Sequence, residues 1–505
     1  MSLAEFRDRA RKGSSTSTHL VPVWRDVLLD AETPVAAFAK LRNGPFAFLL
    51  ESAPAGGETW ARYTFMGAAP RSAWKLKDGV VQDWTAAEGW HNDRRPADPL
   101  SDLESLLKHA EPVEVPEIGD FWSGAVGYFG YDVARIIERL PTPPVRGVDV
   151  PDALFVFTDA LVIFDNLRSQ ARVVATARVN GGASDDELQS AYDAAMRSVD
   201  GTIERLRGPS VLEPLVLDSA APAAQGESRY EKDKFLADVE RIREYIIAGD
   251  AFQVQLARRI DVPFDFSSTD LYRALRVINP SPYMYHLVLD GVEIVGSSPE
   301  LLVRVTATGT VTLRPIAGTR RRGRSAEDDA AMTAELMADE KERAEHLMLV
   351  DLGRNDVGRI ARYGSVRVSE LMVVERYSHV LHLVSQVDGE LRDGLTAMDA
   401  FRASFPAGTL TGAPKVRAMQ IIDEMEPERR GPYGGAVGYI SAGVKRMDLA
   451  ITIRTCVIAN GVASVQAAAG VVYDSVPERE FLEHRNKARA LLTAIGQVRA
   501  ASAAR

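Results

Sequence analysis

Two pairs of glutamates carry the clearest chemical potential in this chain, Glu342-x-x-Glu345 and Glu480-x-x-Glu483. Each pair opens a segment that reads as helix, so a spacing of three sets both carboxylates on one face. Four oxygen donors on two facing helices suit Mg²⁺, a hard ion that keeps several waters and is completed by an anionic substrate. The same residues would also serve as solvated helix faces paired with neighbouring Arg and Lys, and spacing leaves both readings open.

Small residues between the two pairs would let backbone approach a ligand. Pro315-Ile316-Ala317-Gly318-Thr319 follows a strand predicted over Thr310 to Leu313 and leads into the basic run Arg320-Arg321-Arg322. Phe405 to Lys415 is a Gly/Thr loop that opens a helix near Pro414, a residue suited to a first helical turn. Ala467-Ala468-Ala469-Gly470-Val471 presents another bare edge. Loops of this kind offer N–H and hydroxyl donors to an anion. Arg454, at the end of the apolar run Leu449 to Ile453, can grip a carboxylate through a bidentate contact. Together these features describe a pocket for a polyanionic small molecule bound with Mg²⁺.

The elements that must position these groups divide the chain. Residues 1–18 read as a flexible tail and 19–180 as a first domain of short strands and turns. Residues 181–228 hold a polar helix, Asp185 to Arg207, and an Ala/Pro/Ser-rich linker, Ser219 to Ser228. A second domain, 229–498, starts with a helix near Tyr230 to Ala248 and carries nearly every motif; 499–505 is a second tail. Strands and long helices alternate without a strict βαβ rhythm, which predicts an α+β fold of mixed and antiparallel sheets with helices packed outside.

Bulk properties exclude several function classes. A chain of 505 residues is long for one compact core. A net charge of −10 without a sustained Lys/Arg stripe argues against nucleic acid and anionic membrane partners. Met1 to Ser17 lacks the apolar core of a signal peptide, and no apolar run approaches the ~20 residues of a membrane helix. Cys456 is the only cysteine, placed in a strand predicted over Ile451 to Ile458, so a disulfide within the chain is impossible and a reducing cytoplasm is expected.

The order of motifs is specific. Gly249-Asp250-Ala251-Phe252-Gln253-Val254-Gln255, Ser298-Pro299-Glu300, Pro315 to Thr319, Glu342 to His346, Ser378-His379, Gly412 to Lys415, Tyr433 to Tyr439 and Asp474 to Pro477 resemble the chorismate-utilising enzymes. Within that family they are most similar to the anthranilate synthase (component I) branch, over roughly residues 20 to 495. Sister branches place a lysine nucleophile at the position of Ala317, or a lysine base at the position of Gln253. Neither residue here can do that work, whereas neutral ammonia, which already carries a lone pair, needs neither lysine. The resemblance therefore implies a lyase that adds ammonia at C2 of chorismate, in the first step of tryptophan biosynthesis.

The same resemblance assigns roles. Glu342, Glu345, Glu480 and Glu483 would hold Mg²⁺ against the ring carboxylate. Arg454, Tyr433 and backbone near Gly318 and Gly470 would hold the enolpyruvyl carboxylate, with Gln253, Ala317, Thr319, Thr409 and Lys487 as further substrate contacts. Glu300 resembles the general acid for the C4 hydroxyl, which requires a raised pKa. His379 matches a histidine linked to pyruvate loss. His379 and His382 also form a His-x-x-His pair, without a third ligand at metal spacing. Glu51 and Ser52 from the first domain, with Pro282, Tyr283 and Met284 from the second, resemble a site for L-tryptophan as feedback inhibitor. With Cys456 outside any Gly-rich elbow, the chain is not expected to hydrolyse glutamine, which implies a glutamine amidotransferase subunit and a hetero-oligomer. Rival readings are a synthase that stops at 2-amino-2-deoxyisochorismate and a non-catalytic tryptophan-binding regulator. A third, aminodeoxychorismate synthase, is disfavoured by Ala317.

Overall fold

The computed structural model describes residues 1–13, 17–52, 62–377 and 380–503. Among them, two twelve-stranded sheets lie face to face. Each contains strands from both the 19–180 and the 229–498 segments. In the first sheet Tyr283–Leu289 pairs with Phe46–Glu51, Met284 standing opposite Glu51. In the second, Ala436–Ser441 pairs with Gly124–Phe129. The two segments expected as separate domains are thus hydrogen-bonded to each other in both layers.

Residue pattern explains the layers. Gly124–Phe129 and Ala153–Phe157 are buried along their whole lengths, as apolar runs covered on both faces must be. Phe46, Phe48, Leu161, Val174 and Leu287 from one sheet meet Val126, Tyr128, Leu154 and Val437 from the other in a shared core. Helices cover the outside, as the α+β expectation requires. Ser184 and Glu187 form a capping box at the start of the Asp185–Arg207 helix, three acidic residues fill its first turn, and Arg205 and Arg207 close its last. Leu188, Ala195, Val199 and Leu206 form its buried stripe.

Three expectations are corrected. Within the segment expected as a loose tail, Leu3–Arg11 is a helix capped by Ser2 and Glu5. Phe6 and Ala10, one turn apart, are both buried, and the Phe6 ring packs 5.5 Å from that of Tyr192. Phe6 and Ala10 are the only buried residues of this helix, a stripe too sparse to stand out. Residues 499–503 continue the Pro477–Ala503 helix, held by Arg499 on Asp265 at 2.7 Å. The strand predicted over Ile451 to Ile458 is two strands in different sheets, Met447–Ile451 and Thr455–Ala459.

Phe6→Ala should lower unfolding stability by about 3 kcal/mol in urea titration, the usual cost of emptying a buried aromatic site. An unchanged midpoint would show that the first helix is not docked.

Candidate active site

The site is built where the chain passes between the sheets twice, side by side. Val292–Ser298 belongs to the first sheet and Leu301–Val305 to the second, with Pro299 and Glu300 between them. Met447–Ile451 and Thr455–Ala459 make the reverse passage around Arg454. The two passages are tied together, Gly296 pairing with Thr455 and Leu301 with Ala450. The Ile451 N–H donates to the Glu300 carbonyl at 3.0 Å, and the Ser297 N–H to the Arg454 carbonyl at 3.2 Å. Arg454 has a φ of 49°, which few side-chain-bearing residues adopt. An acid and a guanidinium are thereby fixed at one point.

Glu300 is 6 % exposed, and burial pushes its carboxyl up to about 7. The Thr409 hydroxyl donates to it at 3.0 Å, and this bond, the Ile316 N–H and the charges of Arg454 and Lys487 oppose the rise. A carboxyl poised there can give a proton near neutrality. Burial lowers the Arg454 pKa, with Tyr377 and Glu300 acting against it. Among the described residues its guanidinium makes no hydrogen bond or ion pair, so it stands ready for an anion.

The Gly/Thr segments shape the walls. A bulge between Ala317 and Thr319 puts Gly318 at a φ of 64°, where a Cβ would lie 3.2 Å from Glu342 Oε2. Gly470 stands opposite Gln255, and a Cβ there would come within 2.9 Å of the amides of both Gln253 and Gln255. Gln253 Oε1 is buried without a hydrogen-bond partner. Lys487 donates to the Ala468 carbonyl at 2.9 Å, and burial raises the pKa of Tyr433 beside the same residue.

The four glutamates project from the Glu340–Gly358 and Pro477–Ala503 helices, as expected. They do not converge as a ready ligand set. Among the described residues no three acidic, His or Cys side chains are arranged to hold a metal ion. One carboxylate of each pair is taken by a protein cation, Glu342 by Arg320 at 3.0 Å and Glu483 by Lys487 at 2.8 Å. Their mutual repulsion is nonetheless visible. Glu345 is pushed up to about 7 by burial, with Glu342, Glu483 and Asp474 adding to the rise and Lys341 opposing it. Glu480 is raised by burial and by Glu483. Crowded hard oxygen donors of this kind fit a divalent cation. Arg320 also binds Glu335 and Asp339, so the basic run anchors the helix that carries the first pair.

His379 lies outside the described residues. His382 is described, and its Nδ1 faces the Thr319 hydroxyl and the Gly318 carbonyl rather than a metal set.

The residues expected to bind tryptophan converge on a different cavity, of about 540 Å³, lined by Glu51, Ser52, Pro282, Tyr283 and Met284. The Glu51 carboxylate is nevertheless committed elsewhere, to the Tyr272 hydroxyl at 2.7 Å and to both arms of Arg276. Sequence reading missed the inner wall. There Arg304 donates to the Tyr283 hydroxyl at 3.0 Å and pairs with Asp448. A charged residue alternating with Leu302, Val303 and Val305 was the available signal. Pro299, Leu301 and Ile316 also line this cavity, and they are the residues that flank or bind Glu300.

A model of chorismate binding enzymes matches residues 47–493. The chain is 44% identical over 484 residues to anthranilate synthase component 1 of Aquifex aeolicus, covering 95% of this chain and 96% of that one. It is 45% identical over 504 residues to the protein of the same name from Mycolicibacterium smegmatis, covering 98% and 94%. The crystal structure of anthranilate synthase component I from Streptococcus pneumoniae superposes with a TM-score of 0.75 at 37% identity, covering 93% of this chain and 99% of that one. With the site's acid, guanidinium and glycine walls occupying the matched region, the chain belongs to the family of chorismate binding enzymes.

Proposed function

We propose that this chain converts chorismate and ammonia to anthranilate, pyruvate and water. The observation that carries the reading is the protonatable, buried Glu300 beside the unpaired Arg454 at the double passage. Ammonia adds at C2, and the C4 hydroxyl leaves as water with the proton supplied by Glu300. The C2 proton and the enolpyruvyl group are then lost, giving the aromatic ring and pyruvate, with His379 assisting. Arg454 holds the enolpyruvyl carboxylate, supported by Tyr433 and by backbone at Gly318 and Gly470. Ala317 and Gln253 leave the approach to C2 free of any competing lysine. Glu342, Glu345, Glu480 and Glu483 would hold Mg²⁺, directly or through water, and the ion would supply positive charge for the ring carboxylate.

The relatives' name, component 1, supports a second component, which we take to be a glutamine amidotransferase that delivers ammonia. No helix among the described residues is long and apolar enough to cross a membrane, which supports a cytoplasmic enzyme. The 540 Å³ cavity falls within the range of about 300–1,000 Å³ usual for small-ligand sites. We assign it to L-tryptophan acting as a feedback inhibitor. Its shared wall with Glu300 supplies a physical route for coupling.

The direct test mixes the chain with chorismate, MgCl₂ and ammonium above pH 8. Anthranilate and pyruvate should appear in equal amounts and vanish with chelator; chorismate consumed without pyruvate would move the reaction to 2-amino-2-deoxyisochorismate.

Glu300→Gln should lower kcat by about 10²–10⁴-fold, the usual weight of a general acid. The same change should stabilise the fold at pH 8. Raising a carboxyl from 4.5 to about 7 penalises the folded state by roughly 3 kcal/mol once it ionises. The sign follows from the folded pKa lying above the unfolded one. The penalty is absent below pH 4.5, grows between the two values and is complete above 7. A Gln variant less stable than the wild type at pH 8 would contradict this assignment.

Ser52→Phe, which fills the second cavity, should raise the inhibitory tryptophan concentration by about 10-fold or more while kcat/KM stays within ~3-fold. Inhibition unchanged by that substitution would place the effector elsewhere.

A further inference from the structure

We propose that Arg430 is a positioning residue for the acid site, its guanidinium pinning the Gly408–Thr411 turn to the Gln253–Pro263 strand so that the Thr409 hydroxyl is held on Glu300. The inference rests on the reading of Glu300 as the proton donor.

Arg430 and its partner Glu426 are both buried. Arg430 Nε donates to Glu426 Oε2 at 2.9 Å and Nη2 to Oε1 at 2.6 Å. A buried ion pair of this kind adds little stability by itself. The two-point contact does fix the direction of the rigid guanidinium fork. Its other contacts are with backbone: Nη1 donates to the Leu410 carbonyl at 2.6 Å, and Nη2 also to the Gln255 carbonyl at 2.9 Å. Glu426 in turn accepts the Ala257 N–H at 2.8 Å. One side-chain pair thus grips the strand at two alternate residues and the turn at one.

Between turn and strand the backbone ladder is two residues long, Gly412 pairing with Val254 and Ala413 with Gln253. The Arg430 bond to Leu410 falls just before that ladder, on the side of the acid. Thr409 is the chain neighbour of Leu410, and its hydroxyl donates to Glu300 Oε1 at 3.0 Å. Glu300 is faced in addition by the Ile316 N–H and by the charges of Arg454 and Lys487, each of which holds its carboxyl down against burial. Of these, the Thr409 bond is carried by the segment that Arg430 grips. Tyr131 lies over the guanidinium, its ring centre 4.5 Å from the central carbon, with that of Tyr433 at 6.0 Å. The rings add cation–π attraction and close the cation in.

The test follows kcat against pH with saturating chorismate, MgCl₂ and ammonium. In the wild type kcat should fall as Glu300 ionises. Arg430→Lys keeps the charge beside Glu426 but loses the fork that reaches both carbonyls. It should lower kcat about 10-fold and move the alkaline fall up by about half a pH unit or more. The sign is upward because the lost Thr409 bond favoured the ionised carboxylate. Thr409→Val should move the fall as far, and adding Arg430→Lys to it should move it no further. If the Lys variant does not fold, Glu426→Gln combined with Arg430→Gln takes its place, since removing both charges leaves neither buried and unpaired. A lower melting temperature with the fall unmoved, or shifts that add in the double variant, would overturn the inference and leave Glu300 as the acid. A Glu300→Gln variant that keeps the alkaline fall would overturn both.

Discussion

The structure depends on one constraint: two chain segments leave one sheet for the other at the same place, in opposite directions, and hydrogen-bond to each other as they do. Such a passage cannot keep a regular ladder, since Pro299 has no N–H to give and Arg454 must adopt a positive φ. Irregular backbone inside a fold persists only when its surroundings hold it. Here the two passages hold each other, through Ile451 on Glu300 and Ser297 on Arg454. The result is that a buried carboxyl and a half-buried guanidinium act on each other through their charges without forming an ion pair among the described residues.

Burial then supplies the chemistry. The same desolvation that would make an ionised Glu300 costly keeps it protonated near neutrality, and the same desolvation leaves Arg454 in need of an anion. The acidic helices follow a parallel logic. Glu345 and Glu480 are both raised by burial and both sit in the field of Glu483, so an added cation would stabilise the site. The second cavity takes part of its wall from Pro299, Leu301 and Ile316, which flank or bind the acid.

Much of this was legible in the sequence, and the parts that were not share a cause. The Asp185–Arg207 helix could be bounded because its cap, acidic first turn and basic last turn are all local signals. Glu300, Arg454 and the glycine walls could be named because motif order is also local. The break at Thr452 to Arg454 could not be seen, since the residues Ile451 to Ile458 read as one strand whether or not the chain changes sheets there. Nor could the sharing of both sheets, which depends on pairings between residues more than two hundred positions apart, such as Met284 with Glu51. Glu51 was assigned to the effector cavity from its motif, but its carboxylate belongs to Arg276 and Tyr272, partners that only the long-range register reveals. The four glutamates stand on two helices as their spacing indicates; what spacing could not show is that Arg320 pairs with Glu342 and Lys487 with Glu483.

The measurement that bears most directly on this account is an infrared titration of the carboxyl C=O stretch, taken as a difference between wild type and Glu300→Gln. The account predicts a band from one protonated carboxyl that disappears with a midpoint near 7 and is missing in the variant. A Glu300 signal that titrates near 4.5 would show that the acid is ionised at working pH, and the proposed proton transfer to the C4 hydroxyl would fall with it.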